Sequence, residues 1–424
     1  THGRPHGGPW CGVVGVGWGC LHGDSRPLVI TYIVNYVADV VFDSDNHYYE
    51  AEDAFTRHIP RSMAKRCVQW AEVGGKRRLL IGGRLDAFIP NPTFDPVGRP
   101  GALQDFFKGR AGTDVRAAFG ELEPIRPEYR DRDRRLAVMD EQGLAGAWMF
   151  PTLGGGVEQA LAHDGAAAMA AFTAFNEWLH DDWGYAYQDR LFGAPYLCLM
   201  DVDGAVQELE RVLARDARVI CMRPGPVHTP SGTTSPFTEA FDPFWARVAE
   251  AGITVAFHGG DSGYGAHVDA WEPDTEAKAF FATPLYRAIT SNRAISETME
   301  AMLCHRVLER HPRLRVASIE NGSGWVAHML RLVEKSAAMS PGWFAESPTE
   351  VFHRQVWVSP FWEDEPVASV GTIGADRTLF GSDWPHTEGL ADPVSYRDEL
   401  ADLPEGTIDK VMGANALELT VPLS

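Results

Sequence analysis

The chain has no CxxC pair, no excess of basic residues and no apolar run of the roughly 18 residues that a membrane span needs, and each absence removes a class of function. Its six cysteines, Cys11, Cys20, Cys67, Cys198, Cys221 and Cys304, are scattered singly. Several sit in apolar runs such as PYLCLMD and VICMRPG, which predicts reduced structural thiols in a cytoplasmic protein. Lysine and arginine number 38 against 58 aspartate and glutamate, and the resulting charge of -20 repels nucleic acid and anionic lipid alike. With no nucleic-acid partner and no membrane segment expected, the partner to look for is a small-molecule substrate.

What is present suits a large folded core. Hydrophobic residues make up 45% of the chain, with 13 Trp and 21 Phe, and its 424 residues fit one α/β barrel with insertions. Residues 1–37 are glycine-rich, lack a basic n-region and show no periodicity. They are predicted to be a disordered extension and not a signal peptide, leaving 38–424 as a single domain. From residue 38 onward, apolar runs alternate with helical patterns. Strands are predicted at 38–46, 144–150, 193–200, 217–222, 252–258, 314–320, 355–359 and 378–383, separated by segments with apolar residues at three and four spacing. This alternation predicts an α/β fold, a (β/α)8 barrel of TIM type, with a doubly wound open sheet as the competing arrangement. Residues 51–143 and 259–295 exceed the repeat and are read as long insertions after strands one and five, candidate lids or subunit contacts. Their apolar and aromatic content suggests a homodimer or higher homo-oligomer. The run RPEYRDRDRR reads as a solvated helix face.

The predicted strands end in polar residues again and again. Strand one, in FDSDNHYYE, ends in Asp45, Asn46 and His47, strand five in His258, strand six in Glu320 and Asn321, and strand eight in Asp383. In a barrel these ends converge on one face, where so many carboxylates without a counter-charge would cost several kcal/mol. A divalent cation with mixed N and O ligands resolves that conflict, and Zn²⁺ with an open coordination position fits it, with Mn²⁺ also possible. Asp43, by strand alternation, points to the same side as Asp45 and His47 and is read as their supporting partner or an alternative ligand.

LFGSDWPHTEG at 379–389, VAFHGG at 255–260, IENGSGWV at 319–326 and DNHYYE at 45–50 together resemble the amidohydrolase superfamily. More narrowly they resemble the branch typified by aminocarboxymuconate semialdehyde decarboxylase and the resorcylate decarboxylases. The similarity runs from about residue 38 to 405, and FGSDWPH is its most specific element. The resemblance implies a (β/α)8 barrel whose metal is held by Asp45, His47, His258 and Asp383. The strand-four lysine of binuclear members is missing, since VICMRPG offers Met222 and Arg223, so a mononuclear centre is implied. Strand six departs from the pattern, with Glu320 where typical relatives carry a catalytic histidine.

Two reactions follow as expectations. One is non-oxidative decarboxylation of a small aromatic or unsaturated acid, with Asp383 or Glu320 protonating the carbon that loses CO₂ and His258 in the catalytic set. The other is hydrolysis of an amide, lactone or ester by activated water, with Asp383 as general base. Arg223 is a candidate clamp for a substrate carboxylate, in competition with a structural ion pair. Asn321, His386 and Tyr49 are further candidate substrate contacts, His386 competing with a capping role and Tyr49 with packing against the first loop. Glu50 is expected to fix that loop through backbone hydrogen bonds.

Overall fold

Valine-rich runs supply the strands. A computed structural model of the protein describes residues 40–86, 88–110, 119–273, 283–361 and 364–424. The glycine-rich extension at 1–37 therefore lies outside the described residues, which from Val40 onward belong to one compact unit. The strands among them are β1 (Val41–Tyr48), β2 (Val68–Val73), β3 (Lys76–Ile81), β4 (Arg84–Leu85), β5 (Leu144–Pro151), β6 (Leu191–Gly193), β7 (Val219–Met222), β8 (Val227–Thr229), β9 (Gly232–Thr234), β10 (Thr254–His258), β11 (Arg315–Ile319) and β12 (Val356–Val358). β1, β5 and β6 form one parallel sheet, and β12, β11, β10 and β7 form another in that order. β7, β10, β11 and β12 are buried along their whole length, as expected of parallel strands covered on both faces.

The helices start and stop on local signals. Helix Gly165–Asp182 begins where the Asp164 side chain accepts from Ala167 N, and it buries Ala168, Ala171, Phe172, Phe175, Trp178 and Leu179 at three and four spacing. Helix Arg132–Gln142 begins at Asp131, which accepts from Arg134 N, and ends on Gly143 at φ 74°. No helix among the described residues is long and apolar enough to cross a membrane. Cys67, Cys198, Cys221 and Cys304 are free thiols.

Two expected strands come out shorter. Of 193–200 only Gly193 falls in β6, and the chain then continues with a single parallel bridge from Tyr196 to Cys221. Residues 378–383 make no strand. They bridge on both sides, Thr378 to Val358 and, one residue on, Trp384 to Asn46. Backbone bonds Leu379 N to Val358 O (3.0 Å), Ser44 N to Phe380 O (2.9 Å) and Asp383 N to Asp45 O (2.8 Å) hold this segment between β12 and β1. Glycine at 381 explains the close fit, because a Cβ there would lie 2.5 Å from Asp45 Cβ and 2.8 Å from Ser359 Oγ.

The insertion after β1 carries the antiparallel sheet β2-β3-β4, a mostly irregular stretch at 88–110 and 119–131, and the helix Arg132–Gln142. That helix corrects the reading of RPEYRDRDRR as wholly solvated. Arg135 is fully buried, its guanidinium 4.5 Å from the Trp384 ring and its Nη1 donating to Asn46 Oδ1. It faces inward with Leu136 and Met139.

Candidate active site

A register shift in β1 between Asp43 and Asn46 breaks the simple alternation and separates the roles of its polar residues. Asp43 is turned into the wall. It accepts from Ser382 N (2.9 Å), Ser382 Oγ (2.6 Å), Asn46 Nδ2 (2.9 Å) and Asp45 N (3.1 Å). Asp45 and His47 face the other polar strand ends instead. Asp45 Oδ1 lies 3.3 Å from His47 Nε2 and 3.3 Å from His258 Nε2, and His47 Nε2 lies 3.3 Å from Asp383 Oδ1. All four residues are buried.

Several of these atoms point at one another without bonding. Both ring nitrogens of His47 and Oδ2 of Asp383 are buried with no hydrogen-bond partner, which is costly unless something else satisfies them. His258 Nδ1 donates to Gly259 O at 2.8 Å. Its Nε2 faces the Asp45 carboxylate at 3.3 Å, and against burial Asp45 and Glu320 hold this imidazole above its usual range. One ligand atom each from Asp45, His47 and His258, and likewise from His47, Asp383 and His386, lies within 4.8 Å of the others. Two imidazoles and two carboxylates gathered around unsatisfied lone pairs fit a divalent cation.

Two carboxylates reach the cluster through unusual backbone. Glu320 and Asp383 have φ of 55° and 57°, a left-handed conformation that costs a non-glycine residue about 1 kcal/mol or more. Burial, and after it the charge of Asp383, pushes the Glu320 carboxyl well above the usual range. Burial, and after it Glu388 and Asp45, does the same to Asp383. Asp45 is held low against burial by the His258 and His47 imidazoles, while burial and the neighbouring His386 hold His47 low.

His386 completes the arrangement. Its Nδ1 lies 2.6 Å from Asp383 Oδ1 and its Nε2 lies 2.9 Å from Thr152 Oγ1. The Thr152 hydroxyl donates to Tyr48 O at 2.8 Å, so it accepts from Nε2 and a second proton lies between Nδ1 and Asp383. Glu50 accepts from Leu153 N and Gly154 N at 2.9 and 3.0 Å and fixes the adjoining turn.

Above this floor opens a cavity of about 590 Å³ whose wall includes His47, Tyr49, His258, Glu320 and His386. Asp45 and Asp383 are not part of the wall. Of the residues singled out in the sequence, the structure thus gathers Asp45, His47, Tyr49, His258, Glu320, Asp383 and His386. It does not bring Arg223 or Asn321 to the wall. Arg223 Nη1 donates to Ser262 O and Gln159 Oε1, and its Nε lies 3.5 Å from Glu158 Oε1. Asn321 Nδ2 donates to the carbonyls of Phe257 and Ile319. Thr152 and Glu388 went unnoticed in the sequence. The proximity of Glu388 to the FGSDWPH motif was the available signal.

Among known proteins, the family model described as amidohydrolase matches residues 114–419. That match begins after β1, so Asp45 and His47 lie outside it. An amidohydrolase from Mycobacterium avium subsp. paratuberculosis K-10 is 44% identical, the alignment covering 90% of this chain and 99% of that one with a TM-score of 0.85. A dihydroxybenzoic acid decarboxylase from Polaromonas sp. JS666, with bound manganese and 2-nitroresorcinol, is 18% identical over 76% of this chain and 96% of that one, TM-score 0.55. A manganese-bound 5-carboxyvanillate decarboxylase from Novosphingobium aromaticivorans DSM 12444 is 16% identical over 91% and 98%, TM-score 0.55. At such identities the last two likenesses speak for the fold alone. A search of curated proteins finds no match. With the family model spanning most of the chain, and a relative of high identity aligned along nearly its whole length, this protein belongs to the amidohydrolase family and is a metal-dependent enzyme of that superfamily.

Proposed function

We propose that the protein catalyses non-oxidative decarboxylation of an aromatic or unsaturated carboxylic acid at a mononuclear divalent metal centre. Asp45, His47, His258 and Asp383 would hold the ion, Zn²⁺ being the simplest candidate and Mn²⁺ the alternative. When bound, the ion supplies Lewis-acid polarisation of a substrate oxygen. The observation that carries the reading is the position of Glu320, a carboxyl 3.4 Å from His258 on the wall of a largely apolar cavity. As the carbon–carboxylate bond breaks, its electron pair stays on the ring or vinyl carbon, and the Glu320 carboxyl delivers the proton there while CO₂ leaves. Asp383 shares its proton with His386 and passes it to Glu320, and solvent water replaces the proton that each turnover consumes. Tyr49 and His386 orient the substrate, and Arg223 and Asn321 support the strand ends.

A second reading has its own support. No lysine or arginine lines the cavity among the described residues, so a substrate carboxylate finds no cationic side chain there. In a hydrolase, Asp383 would take the proton of an attacking water at an amide, lactone or ester carbonyl. Purified protein of known metal content, incubated with aromatic acids and with amides or lactones, separates the two. CO₂ release without uptake of solvent oxygen into product is expected. Labelled oxygen in product without CO₂ would overturn the decarboxylase.

On this reading residues 38–424 form one domain in which the two parallel sheets and the 378–384 segment close as a (β/α)8 barrel. The long insertions after strands one and five would serve as lids or contacts in a homodimer or higher oligomer. The free thiols fit a cytoplasmic location.

A further inference from the structure

We infer that the site accepts substrates whose body, beyond the reacting group, is bulky, apolar and uncharged, and larger than a single ring. This deepens the reading above and rests on its taking the His47–His258–Glu320 floor as the reacting centre. Three observations support it. The first is volume. A dry cavity of roughly 150 Å³ already holds benzene, and this one measures about 590 Å³. A lone benzoate ring would leave most of it unfilled.

The second is the chemistry of the roof. Phe88, Ile89, Phe94, Val97, Phe119 and Leu122, all from the insertion after β1, line the same cavity as His47, His258 and Glu320. Phe94 is seated against Tyr49 at 4.7 Å between ring centroids, so the roof and the floor are joined by aromatic packing. Such a surface favours ligand area that gains by leaving water.

The third is charge. The titratable wall residues are His47, Tyr49, His258, Glu320, His386 and Glu388, and no lysine or arginine stands beside them among the described residues of the wall. The nearby guanidinium groups are committed elsewhere. Arg130 donates to Tyr49 O and Thr93 O, and Arg135 to Asn46. Arg223 donates to Ser262 O and Gln159 Oε1. A second anionic group on the substrate would lose its water under the roof, meet no lysine or arginine there, and face Glu388.

The test is calorimetric binding to metal-loaded protein of 4-alkylbenzoates of increasing chain length, beside 4-(ω-carboxyalkyl)benzoates of matched length. Affinity is expected to rise about two- to fourfold per methylene over several carbons. A terminal carboxylate should weaken it tenfold or more. Leu122 sits on the rim at 52% exposure, so Leu122→Arg perturbs the fold little and should restore dicarboxylate binding while weakening the alkyl series. A flat alkyl series, no binding at any length, or a dicarboxylate that binds wild type as tightly as its alkyl counterpart would each overturn the inference. CO₂ release and solvent-oxygen uptake are read separately on a panel of hydrophobic substrates. If the binding series holds while neither reaction occurs, the substrate class stands and the reaction falls. If a small benzoate is decarboxylated while the alkyl series is flat, the reaction stands and the substrate class falls.

Discussion

Asp43 and Ser382 are bonded twice, the Ser382 hydroxyl donating to one carboxylate oxygen and the Ser382 amide to the other. This pair ties β1 to the segment that carries Asp383, so the two halves of the ligand set share one brace. Asp43→Ala leaves the Ser382, Asn46 and Asp45 donors unsatisfied in the interior, and a loss of about 3 to 5 kcal/mol is expected. Asp43→Asn should cost less, because one oxygen still accepts. Denaturant unfolding measures both, and equal stability of Asp43→Ala and wild type would refute the brace.

Gly381 permits the contact between the 378–384 segment and β1. Gly381→Ala brings a methyl group within 2.5 Å of Asp45 Cβ, and the backbone must move to relieve it. Overpacking of this kind costs about 1 to 3 kcal/mol. Bound metal per chain should fall with it, read by elemental analysis beside the unfolding curve. Full metal content at wild-type stability would show that the segment has slack.

Removing the ion should be felt in the fold as well as in the reaction. A ligand that binds only the native state at about 100 times its Kd contributes about 2.7 kcal/mol. Dialysis against a chelator is therefore expected to lower Tm and abolish turnover, and Zn²⁺ or Mn²⁺ should restore both. Asp383→Ala should purify with substoichiometric metal and no activity. A chelated protein that keeps full activity would refute the metal centre.

Glu50 gives a pH signature. Burial pushes its carboxyl up to about 7 in the folded protein, against its backbone hydrogen bonds, from an ordinary 4.5. A raised folded value means that the protonated form is favoured by folding. The stability it contributes is fully present below pH 4.5 and is lost as pH rises through about 7. Relative to Glu50→Gln, wild type should lose about 3 kcal/mol over that window. Unfolding curves of the two proteins at several pH values check this, and a pH-independent difference would contradict it.

Arg223 is expected to matter for stability and not for substrate affinity. Arg223→Ala strands the buried Glu158 carboxylate, which is left with neutral partners such as the Tyr196 hydroxyl, at a cost of about 3 kcal/mol. KM for any acid substrate should be unchanged within about twofold. A large rise in KM at wild-type stability would return Arg223 to the role of carboxylate clamp.

The pairing of Asp45 with His47 was legible because polar residues inside an otherwise apolar parallel strand are expensive, and a sequence retains them only where something repays the cost. The same reasoning found His258 and Asp383. For Arg223 a carboxylate clamp and a structural ion pair stayed equal alternatives, because position along a strand does not reveal the partner, and Glu158 is supplied by the chain just after β5. Arg135 was hidden in a charged run, where only the helical phase shared with Leu136 and Met139 marks it as inward. The cavity roof escaped notice because the stretch from Phe88 to Leu122 is mostly irregular, with no periodicity to say which side chains turn in. The segment at 378–383 looked like a strand from its apolar start, but it makes single bridges on each side and no continuous ladder.

The brace between Asp43 and Ser382 joins residues 339 positions apart. At about 5 to 20 residues per second, a ribosome spends roughly 20 to 70 s making the chain between them. Through that interval the nascent protein carries Asp43, Asp45 and His47 with none of their partners from the 378–384 segment, so the earliest-made part of the centre waits for nearly the last. Anything that protects a growing chain, whether a chaperone or an early-bound ion, would have to act on this unfinished half.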